Sequence, residues 1–178
     1  IVLTENCRER LAAMRSEVHR RGFLSVRQLL RVAGYAASEV YYDAFGKPHL
    51  TDGNHISVTH SFTFSGIIIS GDREVGIDIE KQRDKIRKIA DKFVGYEWNY
   101  LSADRLIEKL TLIWCAKESL YKSFGVEGLS FKRHCSVIPF DPEAQQTKAW
   151  IRYGSRMAQY DIRFFSFEGF SCAYALKL

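Results

Sequence analysis

The sequence predicts an α+β fold: two similar α/β halves, each a helix packed on a small antiparallel sheet, related by a pseudo-twofold. Three observations predict it. Helical and strand-like periodicities arrive in the order helix, strands, helix, strands. Short polar connections join the strand-like runs, which favours antiparallel neighbours over long crossovers. The two rounds divide near residue 95, giving halves 1–94 and 95–178 of one compact unit.

The chain of 178 residues is 46% hydrophobic and 26% charged, enough apolar matter for one ordinary domain and too balanced for disorder. The net charge of +5 suits an anionic partner without choosing among nucleic acid, a phosphorylated cofactor and an acidic protein. Cys7, Cys115, Cys135 and Cys172 show no C-x-x-C or metal-finger spacing, so they read as reduced, mostly buried thiols of a cytosolic protein. No apolar run approaches the roughly 20 residues of a membrane span, and no signal peptide is visible. Ile1 rather than Met opens the chain, which predicts a trimmed or incomplete N-terminus.

Residues 4–33 predict helix, with Leu11, Met14 and Val18 at helical spacing and a second stretch, FLSVRQLLRVAG, ending near Gly34. Arginines 8, 10, 15, 20, 21, 27 and 31 give it either a solvated basic face or a phosphate-binding one. Gly and Pro in YYDAFGKPHLTDG, 41–53, predict a loop. HISVTHS (55–61), FSGIIIS (64–70) and EVGIDIE (74–80) predict a three-stranded meander. RDKIRKIADKFV (83–94) predicts a short basic amphipathic helix, and 104–124 a long one capped by Gly125. From 134 to 178 the alternation predicts three or four more antiparallel strands.

In EVGIDIE, Val75, Ile77 and Ile79 share one face and Gly76, Asp78 and Glu80 the other. Acids on a strand face are ordinary where that face is wet. On the long helix, Leu112, Ala116 and Leu120 form a buried stripe, while Trp114, Glu118 and Lys122 fall on a neighbouring face. Glu118 and Lys122 make either an i,i+4 surface pair of about 0.2–0.5 kcal/mol or a carboxylate and ammonium at the edge of a site. Taken together, Asp78, Glu80 and Glu118 are the oxygen donors a hard divalent cation takes, and such a cation would relieve their repulsion. Gly76 is read as room for a ligand to approach. Gly46-Lys47-Pro48 presents a lysine on a constrained turn without P-loop spacing. Thr59-His60-Ser61 ends a strand, where His60 is either structural or a phosphate donor.

Gly46-Lys47-Pro48, Thr59-His60-Ser61, Gly76-Ile77-Asp78-Ile79-Glu80 and Trp114-x-x-Lys117-Glu118-Ser119-x-x-Lys122, in that order, resemble the 4′-phosphopantetheinyl transferases of the surfactin-synthetase-activating type. GLSF at 128–131 adds to the likeness, which runs from about residue 20 to the C-terminus. The sequence departs from the family pattern at Thr59, where Ser is usual, and at Val94, where a capping Ser is common. The resemblance implies a holo-[acyl-carrier-protein] synthase type enzyme. It moves the phosphopantetheine arm of coenzyme A to a serine hydroxyl of an acyl or peptidyl carrier protein and releases adenosine 3′,5′-bisphosphate. It implies a cytoplasmic monomer with the active site in the cleft between the halves and no nucleic-acid or membrane partner. By the same resemblance Asp78, Glu80 and Glu118 are the Mg²⁺ ligands, with Mn²⁺ the alternative. Gly46, Lys47, Pro48, Thr59, His60, Lys117 and Lys122 contact coenzyme A, and Glu118 and Lys122 are catalytic. The family's 3′-phosphate contacts lie near the N-terminus, where Arg8 and Arg27 are the candidates.

Two other readings compete. A Mg²⁺-dependent nuclease or phosphohydrolase also uses acids and a lysine, but the Asp…Glu-x-Lys kind sets its last acid and lysine two apart on a strand, whereas Glu118 and Lys122 are four apart on a helix. A non-catalytic carrier- or nucleic-acid-binding module would use only the basic N-terminal helix, and no base-stacking or recognition-helix pattern supports the nucleic-acid form. The transferase reading expects three carboxylates standing close together and little used by protein partners.

Overall fold

The structure is a computed structural model, and it describes residues 2–178. The N-terminal helical region is two helices, α1 (Glu5–Ala13) and α2 (Glu17–Val32). Their break is built locally: Met14 is extended and Ser16 accepts the His19 amide as an N-cap. Val18 is consequently exposed, and the buried face of α2 is Phe23, Val26, Arg27 and Leu30.

The expected loop at 41–53 is a hairpin. β1 (Val40–Tyr42) pairs with β2 (Pro48–Leu50). Asp43 folds its tip by accepting the Phe45 and Lys47 amides, each at 2.9 Å, and Gly46 takes the positive φ of +81° the turn needs. β3 (His55–Ser61) and β4 (Phe64–Ser70) form a second hairpin.

β5 (Val75–Lys81) then leaves the expected meander. Its ladder partner is the last strand of the chain. After α3 (Lys85–Phe93), a 3₁₀ turn at Tyr96–Asn99, α4 (Leu106–Phe124) and the short α5 (Phe131–His134), the chain lays down β6 (Cys135–Val137), β7 (Gln146–Tyr153), β8 (Arg156–Phe167) and β9 (Phe170–Lys177). One five-stranded antiparallel sheet runs β5-β9-β8-β7-β6. A strand from residues before 95 thus sits at the edge of a sheet built by residues after it.

The free edge of β5 faces β3 without a backbone ladder. Side-chain hydroxyls stand in: the Ile77 and Ile79 amides donate to Ser57 Oγ and Thr59 Oγ1 at 3.1 and 3.2 Å. Buried donors need partners wherever a ladder stops, and these two hydroxyls supply them.

The main core lies between α4 and the large sheet, with Leu112, Ile113, Ala116 and Leu120 against Ile151, Ile162, Ala173 and Ala175. Gly76 makes that contact possible. A Cβ there would stand 1.8 Å from the Ser119 carbonyl oxygen, so the glycine admits the helix backbone and not a ligand. All four cysteines are free and buried. Among the described residues no helix is long and apolar enough to cross a membrane.

Candidate active site

The close approach at Gly76 sets β5 directly under the last turns of α4, so residues about 40 apart in sequence become neighbours. Asp78 is 7% exposed. Its Oδ1 accepts from Lys122 Nζ at 2.8 Å and from Thr59 Oγ1 at 3.3 Å, and the same ammonium donates to the Ile77 carbonyl at 2.8 Å. Lys122 therefore pairs with the strand acid and not with Glu118, four residues away on its own helix.

Asp78 Oδ2 is buried with no hydrogen-bond partner. The nearby Cys115 thiol donates instead to the Ser171 carbonyl, 3.4 Å away. Burial pushes the Asp78 carboxyl up, and Lys122 pulls back only part of that. Glu80, bonded to Ser61 Oγ at 3.3 Å, is raised by burial and then by the Asp78 charge. Glu118 is pushed up to about 7 by burial, with Asp78 adding repulsion. The three carboxylates therefore share one field in which Lys122 offsets only part of the negative charge, and a proton or a cation is the missing partner.

That shortage fits a hard divalent cation in donor chemistry: oxygen ligands, an orphaned buried acceptor and mutual repulsion. The expected convergence of three idle carboxylates is met only partly. Protein groups hold Asp78 Oδ1 and Glu80 Oε2, and among the described residues no three His, Cys, Asp or Glu side chains stand ready to enclose a metal.

Beside these acids opens a cleft of about 570 Å³, within the range of small-molecule sites. The β1–β2 tip supplies Gly46, Lys47 and Pro48, β3 supplies Ile56, Ser57 and Val58, and the end of α4 supplies Tyr121, Lys122 and Gly125. Lys47 Nζ donates to the Ser123 carbonyl at 3.1 Å, which ties the hairpin to the helix C-terminus. Two ammonium groups thus stand at one concave surface that also carries Asp43 and Glu127, and the ammonium groups are its donors suited to phosphate oxygens.

The remaining expected contacts fall elsewhere. Lys117 is 0% exposed on the other side of α4. It pairs with the equally buried Glu97 at 2.8 Å and donates to the Phe93 and Phe131 carbonyls. Every donor direction is used inside the C-terminal core, so Lys117 is a structural strut and does not face the cleft. Thr59 is also buried, its hydroxyl held between Asp78 and the Ile79 amide, which makes it a support for the acid. His60 is exposed as a residue, but its ring packs over Gly22 of α2, and this partial desolvation, then His19 and Lys122, lowers its pKa. Arg27 is buried over the Phe23 ring and bonded to Tyr42 Oη at 3.0 Å, and Arg8 pairs with Glu5.

Sequence reasoning missed Ser57, Tyr121 and the Ser123 carbonyl. Tyr121 adjoins Lys122 in sequence, but nothing in the pattern marks it as a cleft wall, and a backbone carbonyl carries no signal at all.

A family model described as the 4′-phosphopantetheinyl transferase superfamily matches residues 74–175, from the threshold of β5 into β9. The matched segment contains Asp78, Glu80, Glu118 and Lys122 and leaves the β1–β2 and β3–β4 hairpins outside. A comparison with curated proteins finds no match. Neither the match nor the geometry favours a nuclease or phosphohydrolase.

Proposed function

Since the chain belongs to the 4′-phosphopantetheinyl transferase superfamily, we propose that it transfers the phosphopantetheine arm of coenzyme A to a serine hydroxyl of an acyl or peptidyl carrier protein. The observation that carries this reading is the adjoining of an electron-rich carboxylate group, Asp78, Glu80 and Glu118, to a cleft bearing Lys47 and Lys122. In this reading the chain is of the surfactin-synthetase-activating type, and the working form is a cytoplasmic monomer.

Gly46, Lys47 and Pro48 hold the nucleotide end of coenzyme A, and His60, outside the cleft lining and against α2, would reach a phosphate only beyond that lining. Asp78, Glu80 and Glu118 would hold Mg²⁺ or Mn²⁺, which supplies Lewis-acid neutralisation of the pyrophosphate charge. Glu118, whose carboxyl has a pKa near 7, takes the proton of the serine hydroxyl at neutral pH. The serine oxygen forms its bond to the β-phosphorus as the bond to the leaving bisphosphate breaks. Lys122 presents its ammonium to the charge that builds on the phosphate oxygens. Thr59 and Ser61 steady the carboxylates through their hydroxyls.

Purified protein with coenzyme A and Mg²⁺ should add about 340 Da to an apo carrier protein, read by intact mass spectrometry. No gain on any of several apo carriers would sink the assignment.

A further inference from the structure

Two hairpin tips meet at one side of the candidate site. Phe62, in the β3–β4 turn, is 49% exposed at a φ of +51°, a conformation that bulky L side chains avoid and that Asn or Gly adopts freely. An outlier of this kind on an exposed apolar side chain points to a role outside folding. Around it the rings form a continuous ridge. Phe62 lies 6.4 Å from Phe170, Phe64 lies 4.8 Å from Phe170 and 4.9 Å from Phe167, and Phe165, 41% exposed, lies 5.6 Å from Phe167.

The ridge is framed by cations. The Arg83 guanidinium sits 4.2 Å from the Phe62 ring centre and Lys81 5.7 Å, and Arg83 Nε has no hydrogen-bond partner. The segment 81–92 carries six basic residues against two acids. The position is as telling as the chemistry. Ser61, which bonds Glu80, immediately precedes Phe62, and Lys81 immediately follows Glu80. The ridge therefore begins beside Glu80, one residue past it on β5 and one residue past its hydrogen-bond partner Ser61 on β3. Its rings are partly exposed and none of them lines the concave cleft that suits a small ligand, so its occupant is a macromolecule with an acidic and apolar face.

We propose that the ridge of Phe62, Phe64, Phe165 and Phe167, with Lys81 and Arg83, docks the acidic carrier protein whose serine is modified. This rests on the transferase reading above. The rings bury apolar carrier surface, and the cations pair with carrier carboxylates and speed encounter.

The test is steady-state kinetics on an apo carrier that the wild type modifies, using Phe62→Asn, Phe165→Thr and Arg83→Glu. Asn accepts the positive φ and Thr suits a strand, so both substitutions preserve the fold, which melting temperature verifies. The KM for carrier should rise at least tenfold in Phe62→Asn and Arg83→Glu and at least threefold in Phe165→Thr, with kcat and the KM for coenzyme A within twofold of wild type. Arg83→Glu should also lose the salt dependence of the carrier KM. A carrier KM within twofold of wild type in any two of the three variants would overturn the docking assignment. So would a parallel rise in the KM for coenzyme A, which marks a distorted site. Sedimentation equilibrium covers the remaining occupant: a dimer abolished by Phe62→Asn, with the carrier KM unmoved, gives the ridge to a second copy of this chain and overturns the proposal. If the wild type modifies no carrier at all, the transferase reading fails first and the docking surface with it.

Discussion

Lys122 Nζ stands 2.8 Å from Asp78 Oδ1 and leaves Oδ2 of the same buried carboxylate without a partner. One ammonium thus half-compensates an acid on another element, while the acid nearest in sequence, Glu118, rises to about 7. The charge balance of the site is set across the β5–α4 contact and not along the helix.

Replacing Lys122 by Met removes the ammonium and keeps the stem. In the transferase reading kcat should fall about 100-fold, the scale of losing one preorganised charge at a transition state, with a smaller rise in the KM for coenzyme A. A change confined to KM contradicts that role.

Glu118→Gln keeps the shape and removes the base. Transfer should fall by roughly 100-fold or more, while circular dichroism stays that of the wild type. Asp78→Ala should abolish transfer too, because it removes the acceptor around which Lys122 and Thr59 are arranged. A near-normal rate in either variant refutes the carboxylate site.

Protonation gives an independent readout. The folded-state pKa of Glu118 is about 7 against an ordinary 4.5, so between these values the folded chain binds more protons than the unfolded one. Stability then falls as pH rises from about 5 to about 7.5. Thermal melts without divalent cation should show this decline, and Glu118→Gln should flatten it. Added Mg²⁺ should restore stability most at the upper end of the window, where the carboxylates are ionised. A melt profile indifferent to Glu118→Gln removes the titration assignment.

Lys117→Met strands the wholly buried Glu97, which also accepts the Val137 and Gly95 amides. Breaking a buried pair by removing one partner costs about 3–5 kcal/mol. Urea unfolding should show a loss of that order. Full stability with a raised KM for coenzyme A would return Lys117 to the cleft.

Gly76→Ala drives a Cβ into the Ser119 carbonyl, a backbone atom that cannot move without shifting α4. The variant should lose about 3 kcal/mol or accumulate as insoluble protein, scored by soluble yield and urea midpoint. Unchanged stability would show that β5 and α4 are less closely apposed.

Much of this was legible in the sequence because the signals are local. Strand-like runs with short polar connections marked β3, β4 and β5 to within a residue, with period-two alternation clear in β5, apolar spacing marked α4, and Gly125 marked its end with a φ of +65°. The motif order placed Asp78, Glu80, Glu118 and Lys122 in one family segment. The break at Met14–Ser16 was missed because the apolar spacing runs through it, although Ser16 is a recognisable cap. The hairpin at 41–53 was missed because its strands are three residues each, too short for alternation to register.

Lys117 and Lys122 show where sequence reading must stop. They lie five residues apart on one helix, and both looked like anion-binding cations. An α-helix turns about 100° per residue, so five residues set them well apart around the axis. One meets Glu97 in a dry core and the other meets Asp78 at a cleft. The sequence by itself determined the longer elements, the family and the set of acids and cations. Only the tertiary structure decided which cation faces the acids, that Gly76 yields to a helix, and that β5 joins β9 and not β4. Those outcomes depend on which surfaces pack together, and packing partners far apart in the chain leave no periodicity to read.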